Sequence, residues 1–283
     1  MRGEGARLVA RLVARLVARL VALRCTALAA AAGMSGLAGC TEINGSADHI
    51  AALEFSRLPY PAVVSGDTLR DSLGLVAPLH AVVFNGSGNE IANAEVQYLA
   101  LDTGITIGAN GVVVAQRRAG FVPLVASTTV LQTKAVNLLI ARRPDSAAFG
   151  GTATDTIKYD ILSPNSTVNN SRDLAVKVIT RDTAGGITST QGWLVSYQAT
   201  FRGAAVQRGD TSGVFLLGDG QQRSTTDTTS SAGTASRRLR LNLIGLTPLD
   251  TDTALVVASV KHKGQHVRGS PLRFVILFRK KSP

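Results

Sequence analysis

The chain has 283 residues, of which 45% are apolar and 17% charged, and its formal net charge is +11 at pH 7. This length leaves room for two domains of ordinary size once an N-terminal targeting segment is set aside. The only cysteines are Cys25 and Cys40, which excludes an internal disulfide from everything after residue 40. The folded part must therefore rest on its apolar core.

The positive charge is concentrated at the two ends of the chain. Residues 1–39 hold six arginines and one glutamate, which accounts for +5 of the +11. Residues 236–283 hold ten Lys or Arg against two Asp, a net charge of +8, so residues 41–235 carry about −2. The basic character of a chain without its leader would belong to its C-terminal part.

The first 40 residues have the order of a signal peptide. A basic segment that ends at Arg24 precedes the apolar stretch 25–37, and two small residues stand directly before a cysteine. The residues at this boundary, Leu37-Ala38-Gly39-Cys40, resemble the lipobox of bacterial lipoproteins. The resemblance implies cleavage before Cys40, lipidation of its thiol, and attachment of the mature chain to a membrane by its first residue.

An uncleaved transmembrane helix is the alternative for this segment. Residues 20–37 are marginal in length for a hydrocarbon core of roughly 30 Å, and a central Arg24 costs about 2.5–3.5 kcal/mol on insertion scales. We therefore favour cleavage. The upstream Arg-Leu-Val-Ala repeats, which begin at Arg7, fit a membrane-surface helix or an overlong basic segment. We favour the second because cleavage would discard them.

Short runs of Val, Ile, Leu, Thr and aromatic residues follow, separated by Gly, Asn, Asp and Ser clusters, and this pattern predicts strands and turns. Asn110-Gly111 is a strong tight-turn signal because both residues tolerate positive φ. No long amphipathic helix is predicted. The strands predicted in this half are 79–84, 96–101, 105–107, 112–114, 121–126 and 135–141.

The second half repeats the scheme. Alternate residues from Trp193 to Phe201 are apolar, and the residues between them are mostly polar, which fits a strand's period of two. Residues 239–243 and 272–278 alternate in the same way. Burial of such side chains contributes about 1.5–3 kcal/mol each, so we interpret Trp193 as a core anchor rather than a ligand platform. Pro144, Gly150 and Gly151 mark the break between the two halves.

Both halves resemble bacterial immunoglobulin-like domains. In the first half the matching segments are 79–84, the turn at 88–89, 94–98, 109–113 and 120–126, which are similar to the group 2 family. In the second half they are 176–182, 185–186 and 231–235, which are similar to the group 1 repeats of invasins and intimins. The resemblance implies extracytoplasmic display, adhesion or spacing, and no catalytic residue.

We therefore predict an all-β chain with two tandem antiparallel immunoglobulin-like β-sandwiches after a helical signal peptide. The predicted segments are a signal peptide over 1–39, a lipidated N-terminus and tether over 40–56, a first domain over 57–143, a linker over 144–154 and a second domain over 155–283.

Residues of catalytic or metal-binding type do not form a recognisable motif. His262 and His266 have the spacing of a zinc pair on a helix, but Lys263-Gly264 between them predicts a hairpin turn, and no nearby carboxylate completes the site. The many serines and threonines have no partnered base. We predict no enzyme, no metal and no cofactor.

The remaining candidate site is a basic surface near the C-terminus. If the strands around Arg238 and Arg273 share a sheet, their outward charges converge into a patch for anionic polysaccharide or another envelope protein. Nucleic acid is not an expected partner outside the cytoplasm. The alternative is a solvated face whose charges prevent edge-to-edge aggregation. The predicted patch consists of Arg238, Arg240, Lys261, Lys263, Arg268 and Arg273.

These patterns predict a lipoprotein of the bacterial cell envelope, anchored through Cys40. Thr41 is not the aspartate that resembles an inner-membrane retention signal in enterobacteria, which favours the outer membrane. Stable anchoring takes two or more acyl chains, which the modified cysteine of that family carries. Two functions stay open: binding of an envelope or glycan ligand, and spacing without a ligand.

Overall fold

A computed structural model describes residues 49–55, 57–159, 169–181, 184–207, 213–243 and 251–281. In these residues the chain forms strands and turns and contains no α-helix, as the sequence pattern predicts. The predicted leader and Cys40 lie outside the described residues.

The first sandwich uses eight strands. They are β1 (Ile50–Phe55), β2 (Ala62–Val64), β3 (Ala81–Asn85), β4 (Gln97–Ala100), β5 (Ile105–Ile107), β6 (Val113–Ala115), β7 (Gly120–Ser127) and β8 (Val136–Ala141). One sheet has the order β2-β8-β7-β4, and two strand pairs, β1-β3 and β5-β6, complete the domain. Its core includes Leu69, Val113, Val122, Leu138 and Ile140, all of which are fully buried.

The second sandwich uses twelve strands. They are β9 (Ser146–Phe149), β10 (Thr154–Tyr159), β11 (Leu174–Arg181), β12 (Ile187–Ser189), β13 (Leu194–Phe201), β14 (Ala204–Ala205), β15 (Gly213–Leu217), β16 (Thr226–Thr228), β17 (Thr234–Asn242), β18 (Thr251–His262), β19 (Gln265–His266) and β20 (Leu272–Lys280). A seven-stranded sheet has the order β10-β20-β18-β13-β14 with β16 and β19 at its margins. A five-stranded sheet has the order β12-β11-β17-β15, and β9 also pairs with β11.

This strand order is that of an immunoglobulin-like sandwich. In the second domain β9, β11, β17 and β15 take the places of strands A, B, E and D, and β13, β18 and β20 take those of C, F and G. Inward residues from both sheets fill the core, among them Val176, Leu239, Val256, Phe274 and Ile276. The all-β, two-sandwich prediction is confirmed.

One strand pair in each sandwich departs from the predicted antiparallel arrangement. β2 pairs with β8 in parallel, and β10 pairs with β20 in parallel. Parallel neighbours need a long crossover, and here that connection contains most of the other strands of the domain. In each case the earlier strand of the pair, β2 or β10, stands at the end of its sheet order.

The predicted linker, 144–154, contains regular structure. β9 pairs with β11 from Val176↔Phe149 to Ile179↔Ser146, and β10 begins at Thr154. The backbone N–H of Asp145 also donates to the carbonyl of Ile179. The second sandwich therefore begins within a few residues of the end of the first.

Candidate binding face and interdomain cleft

The predicted basic patch is divided between the two sheets of the second sandwich. Arg238 and Arg240 lie on β17 in the five-stranded sheet, whereas Lys261 and Arg273 lie on β18 and β20 in the seven-stranded sheet. The predicted convergence required a single sheet, so the structure contradicts it. Lys263 and Arg268 lie in the turns on either side of β19, where Arg268 forms an isolated bridge with Ser146.

The outward arginines of β17 already have partners. Arg238 Nε lies 2.6 Å from a carboxylate oxygen of Asp173, and this bond raises the pKa of the Arg238 guanidinium. Arg240 donates to Asn170 Oδ1 at 2.7 Å and to Gln221 Oε1 at 2.8 Å. These two side chains hold neighbouring loops to the strand, which leaves less of their charge for a ligand.

The arginine that directly precedes Arg238 on β17 points the other way. Arg237 is buried, and its guanidinium pairs with Asp227 at 3.1 Å while donating to the carbonyls of Ser236 and Thr226. Burial, with the charge of Asp227 as a smaller cause, raises the pKa of the neighbouring Tyr197 hydroxyl, which donates to the carbonyl of Ala235. This polar cluster is structural and faces the sandwich interior.

We call the outward face of the seven-stranded sheet the basic face, because it carries four cations. They are Lys158, Lys261, Arg273 and Arg279. Strand register places Lys158 beside Arg279, and Arg273 beside Val257. Lys261 lies at the far end of β18. All four side chains are exposed, and none of them forms an ion pair within the described part of the chain.

Carboxylates are absent from the outward positions of β10, β13, β16, β18 and β20, among the residues that the structure describes. The acidic residues of these strands occupy the alternate positions, which do not point outward. Asp155 accepts from the backbone N–H of Arg172, Asp252 pairs with Arg202, and Asp227 pairs with Arg237. The basic face therefore has one sign of charge.

The dimensions of the basic face follow from the strand geometry. Arg279 pairs with Thr251 at one end of β18, and Lys261 lies at the other end. At roughly 3.3 Å per residue, the cations spread over about 33 Å. Between them lie Leu255, Val257 and Val275, half-buried, with polar Gln198 beside Val257. Such a surface fits an extended anionic polymer with apolar as well as polar parts.

The two sandwiches belong to one compact unit, Ile50–Pro283, and meet at an aromatic junction. The ring of Tyr60 lies 5.2 Å from that of Trp193, and the Tyr60 hydroxyl accepts from the backbone N–H of Leu194 at 2.9 Å. Burial raises the pKa of this hydroxyl despite that bond. Trp193 Nε1 donates to the carbonyl of Lys261 at 3.0 Å. Trp193 is thus a buried anchor, as predicted, and it stands where the domains meet.

A salt bridge and a close contact between two turns that contain glycine complete the junction. Lys263 Nζ lies 2.7 Å from Asp67, and Gly74 approaches the backbone of Gly264 so closely that a Cβ there would collide with it. Burial alone would raise the pKa of Asp67, but the hydrogen bond from Lys263, with smaller contributions from its surroundings, holds it below its ordinary value. A Cβ on Gly264 would lie 2.7 Å from the carbonyl oxygen of Leu73. Only glycine permits this backbone contact.

A cleft of about 290 Å³ opens beside this junction. Buried Tyr60 and Trp193 lie at its base. One wall is the end of the basic face, and the other is the turn of the first sandwich that ends at Gly74. The outward residues that the basic face contributes are Leu194, Ser196, Thr226, Ser259 and Lys261, and the first sandwich contributes Arg70, Asp71, Ser72 and Leu73.

His262 stands at the edge of the junction. Its ring lies 5.7 Å from that of Trp193. Partial burial, together with the positive charges of Arg143, Lys263 and Arg70, lowers the pKa of the imidazole, and Asp67 opposes this only in part. The neutral ring is therefore the form that the junction favours. His262 and His266 lie across the Lys263-Gly264 turn, as the sequence predicts.

Within the described residues, no group of three or more His, Cys, Asp or Glu side chains is placed to hold a metal ion. That part of the chain contains no helix that is long and apolar enough to cross a bilayer. Lys158 and Arg279 are the two cations of the basic face that the predicted patch does not contain. The sequence signal for Lys158 is the alternation of Thr154, Thr156 and Lys158 with Ile157 and Tyr159.

No family model matches the sequence, and no curated protein matches it. Among solved structures, domains 4 and 5 of the S-layer protein SbsC have a TM-score of 0.29 at 10% identity, over 82% of this chain and 99% of that one. The Yersinia pseudotuberculosis adhesin InvE has a TM-score of 0.30 at 12% identity, over 83% of this chain and 61% of that one. The D0-D1 domain of intimin has a TM-score of 0.26 at 15% identity, over 81% of this chain and 98% of that one.

Proposed function

We propose that this chain is an exported bacterial envelope lipoprotein whose second immunoglobulin-like sandwich binds an anionic polysaccharide. One observation carries the proposal: the basic face presents four cations that form no ion pair with any described residue, and its described outward positions hold no carboxylate. A surface of one sign raises the local concentration of oppositely charged polymer. Half-buried Leu and Val side chains between the cations offer apolar contact to the faces of sugar rings.

The membrane anchor in this proposal is the lipid on Cys40. The Leu37-Ala38-Gly39-Cys40 pattern supports it, and the strand β1 begins at Ile50, ten residues beyond the cysteine. A lipid at this position holds the sandwiches next to the bilayer on a short tether. The outer membrane is the proposed site because Thr41 is not the aspartate that resembles an inner-membrane retention signal in enterobacteria.

The binding proposal is tested with the full chain in detergent against polygalacturonate, with neutral dextran as the comparison polymer. We expect binding to polygalacturonate alone, and weaker binding as salt screens the exposed cations. Arg273→Gln with Arg279→Gln should reduce affinity about tenfold, if each contact contributes about 0.5–1 kcal/mol. Arg238→Gln with Arg240→Gln makes the same change in net charge on the other sheet and should reduce it less than about twofold.

Two results would overturn the binding proposal. Equal losses in the two double variants would mean that net charge and not the basic face governs binding. No binding to polygalacturonate at low salt would leave spacing without a ligand as the function. The built junction, with its Tyr60–Trp193 contact and its Lys263–Asp67 bond, is the observation that favours such a spacer.

The anchor is tested separately by metabolic labelling with a palmitate analogue in a bacterial host. We expect label on the wild-type chain and none on Cys40→Ser, which should also leave the membrane fraction. Cys25→Ser is the matched control, because it replaces the other cysteine within the predicted leader and should keep the label. Labelling that survives Cys40→Ser would end the lipoprotein proposal and leave the binding proposal standing.

A further inference from the structure

We infer that the cleft between the sandwiches is a subsite for one terminal acidic sugar of the anionic polysaccharide that lies along the basic face. This inference rests on the proposed function and deepens it. The cleft is continuous with the basic face, because Ser196, Ser259 and Lys261 are outward residues of the seven-stranded sheet and also line the cleft. A polymer that follows β18 toward the first sandwich therefore meets the cleft.

The volume of the cleft limits what it accepts. Small-ligand sites begin at roughly 300 Å³, and the cleft holds about 290 Å³. This is room for a single unit and not for a chain that passes through. The turn around Leu73 forms the far wall, and its contact with Gly264 blocks continuation in that direction. A polymer end fits this geometry better than an internal segment.

The chemistry of the walls fits a sugar acid. The hydroxyls of Ser72, Ser196 and Ser259 can donate to and accept from ring hydroxyls. Leu73 is 70% exposed and offers an apolar surface at the rim. Lys261 has no ion pair within the described residues, so its ammonium is available for a carboxylate. Asp71 lines the cleft too, but one of its oxygens accepts from the backbone N–H groups of Leu73 and Leu75.

The cleft is also held in shape before any ligand arrives. Lys263 and Asp67 join its two walls at 2.7 Å, and Arg70 Nη1 donates to the carbonyl of Gly74 at 3.0 Å. The first bond joins the two sandwiches, and the second fixes the shape of the turn within the first sandwich. A preformed site loses less conformational entropy on binding than one that must be assembled.

The molecule has a natural reporter for occupancy, because Trp193 is the only tryptophan and lies at the base of the cleft. We would titrate the full chain with galacturonate oligomers of one to six units, following Trp193 fluorescence and heat of binding. Reduced oligomers without the acidic groups serve as the neutral probes. A fluorescence change is expected with monomer and dimer, and added units should increase affinity through the basic face.

Ser259→Phe fills the cleft without changing charge, and Thr253→Phe places the same side chain on the same face of β18 outside it. We expect Ser259→Phe to weaken binding of the monomer and dimer at least about tenfold and Thr253→Phe to leave it within about twofold. Polygalacturonate should still bind to Ser259→Phe through Lys158, Arg273 and Arg279. Unchanged β-sheet circular dichroism in both variants checks folding.

The outcomes separate this inference from the proposed function. If Ser259→Phe and Thr253→Phe bind short oligomers equally, the cleft subsite is wrong while binding along the basic face stands. Polymers with blocked ends should bind the basic face as tightly as polymers with free ends. If only the polymers with free ends change Trp193 fluorescence, the cleft holds the terminal unit. If neither short nor long galacturonate binds the wild-type chain, both proposals fail.

Discussion

Strands β17 and β20 both direct arginines outward from the second sandwich, but their surroundings differ. On β17, Arg238 and Arg240 are held by Asp173, Asn170 and Gln221. On β20, Arg273 and Arg279 lie in a face without carboxylates at its described outward positions. The residue type and the alternation are the same, so it is the partners brought by neighbouring loops that decide whether an arginine is structural or available.

The largest expected loss of stability comes from the inward side of β17, where Arg237 is buried. Asp227→Asn removes the partner of buried Arg237, and we expect the free energy of unfolding to fall by about 3 kcal/mol because an unpaired buried charge remains. Asp173→Asn makes the same chemical change to the exposed partner of Arg238 and should cost less than about 1 kcal/mol.

Both variants are measured by equilibrium denaturation, with binding to polygalacturonate as a second readout. Neither change touches the basic face, so the polymer affinity of the folded protein should stay within about twofold of the wild type. Equal costs for Asp227→Asn and Asp173→Asn would show that burial does not separate Arg237 from Arg238. A large gain of affinity in Asp173→Asn, which frees Arg238, would mean that the anionic ligand binds the five-stranded sheet and not the basic face.

A smaller effect compares the outward arginines directly. Arg238→Gln with Arg240→Gln should lower the free energy of unfolding by about 1 kcal/mol, because three polar contacts near the surface are lost. Arg273→Gln with Arg279→Gln should change it by no more than about 0.5 kcal/mol, as expected of surface residues that have no ion pair in the described part of the chain. Thermal or urea unfolding of the two matched double variants distinguishes them. A reversed order would mean that the cations of β20 have a structural role.

The sequence was sufficient to predict which residues of these strands point outward, but not which sheet each strand joins. Alternation is local, and it correctly placed Arg238, Arg240 and Arg273 on outward positions. Pairing of β17 with β11 and of β20 with β18 is long-range, and no local pattern reports it. A patch drawn from outward parity alone therefore merged two separate surfaces.

Other features had no readable signal for similar reasons. β18, the longest of the described strands, contains Ala254 to Val260 as a nearly continuous apolar run, so its period of two is weak. The cleft joins a turn near residue 73 to strands near residues 196 and 260, which only the folded chain brings together. By contrast, the turns at Asn110-Gly111 and Lys263-Gly264 were predictable, because their chemistry is local.

The smallest expected effect is a change of stability with pH. It separates His262 from the arginines, because the arginines on both strands stay protonated throughout. Any loss of stability between pH 7 and pH 5 must come from other groups, and His262 is the candidate at the junction. Its pKa is lowered, chiefly by burial, so the unfolded chain takes up a proton first as the pH falls below about 6.5. Stability is then greatest above that value and declines toward the lower pKa of the folded state.

The variant His262→Gln should flatten this decline in stability. His266→Gln, which changes an exposed histidine across the same turn, should retain the decline. If the decline persisted unchanged in His262→Gln, the histidine would not be the group that links pH to the junction, and the acid sensitivity would have to be sought away from the contact between the two sandwiches.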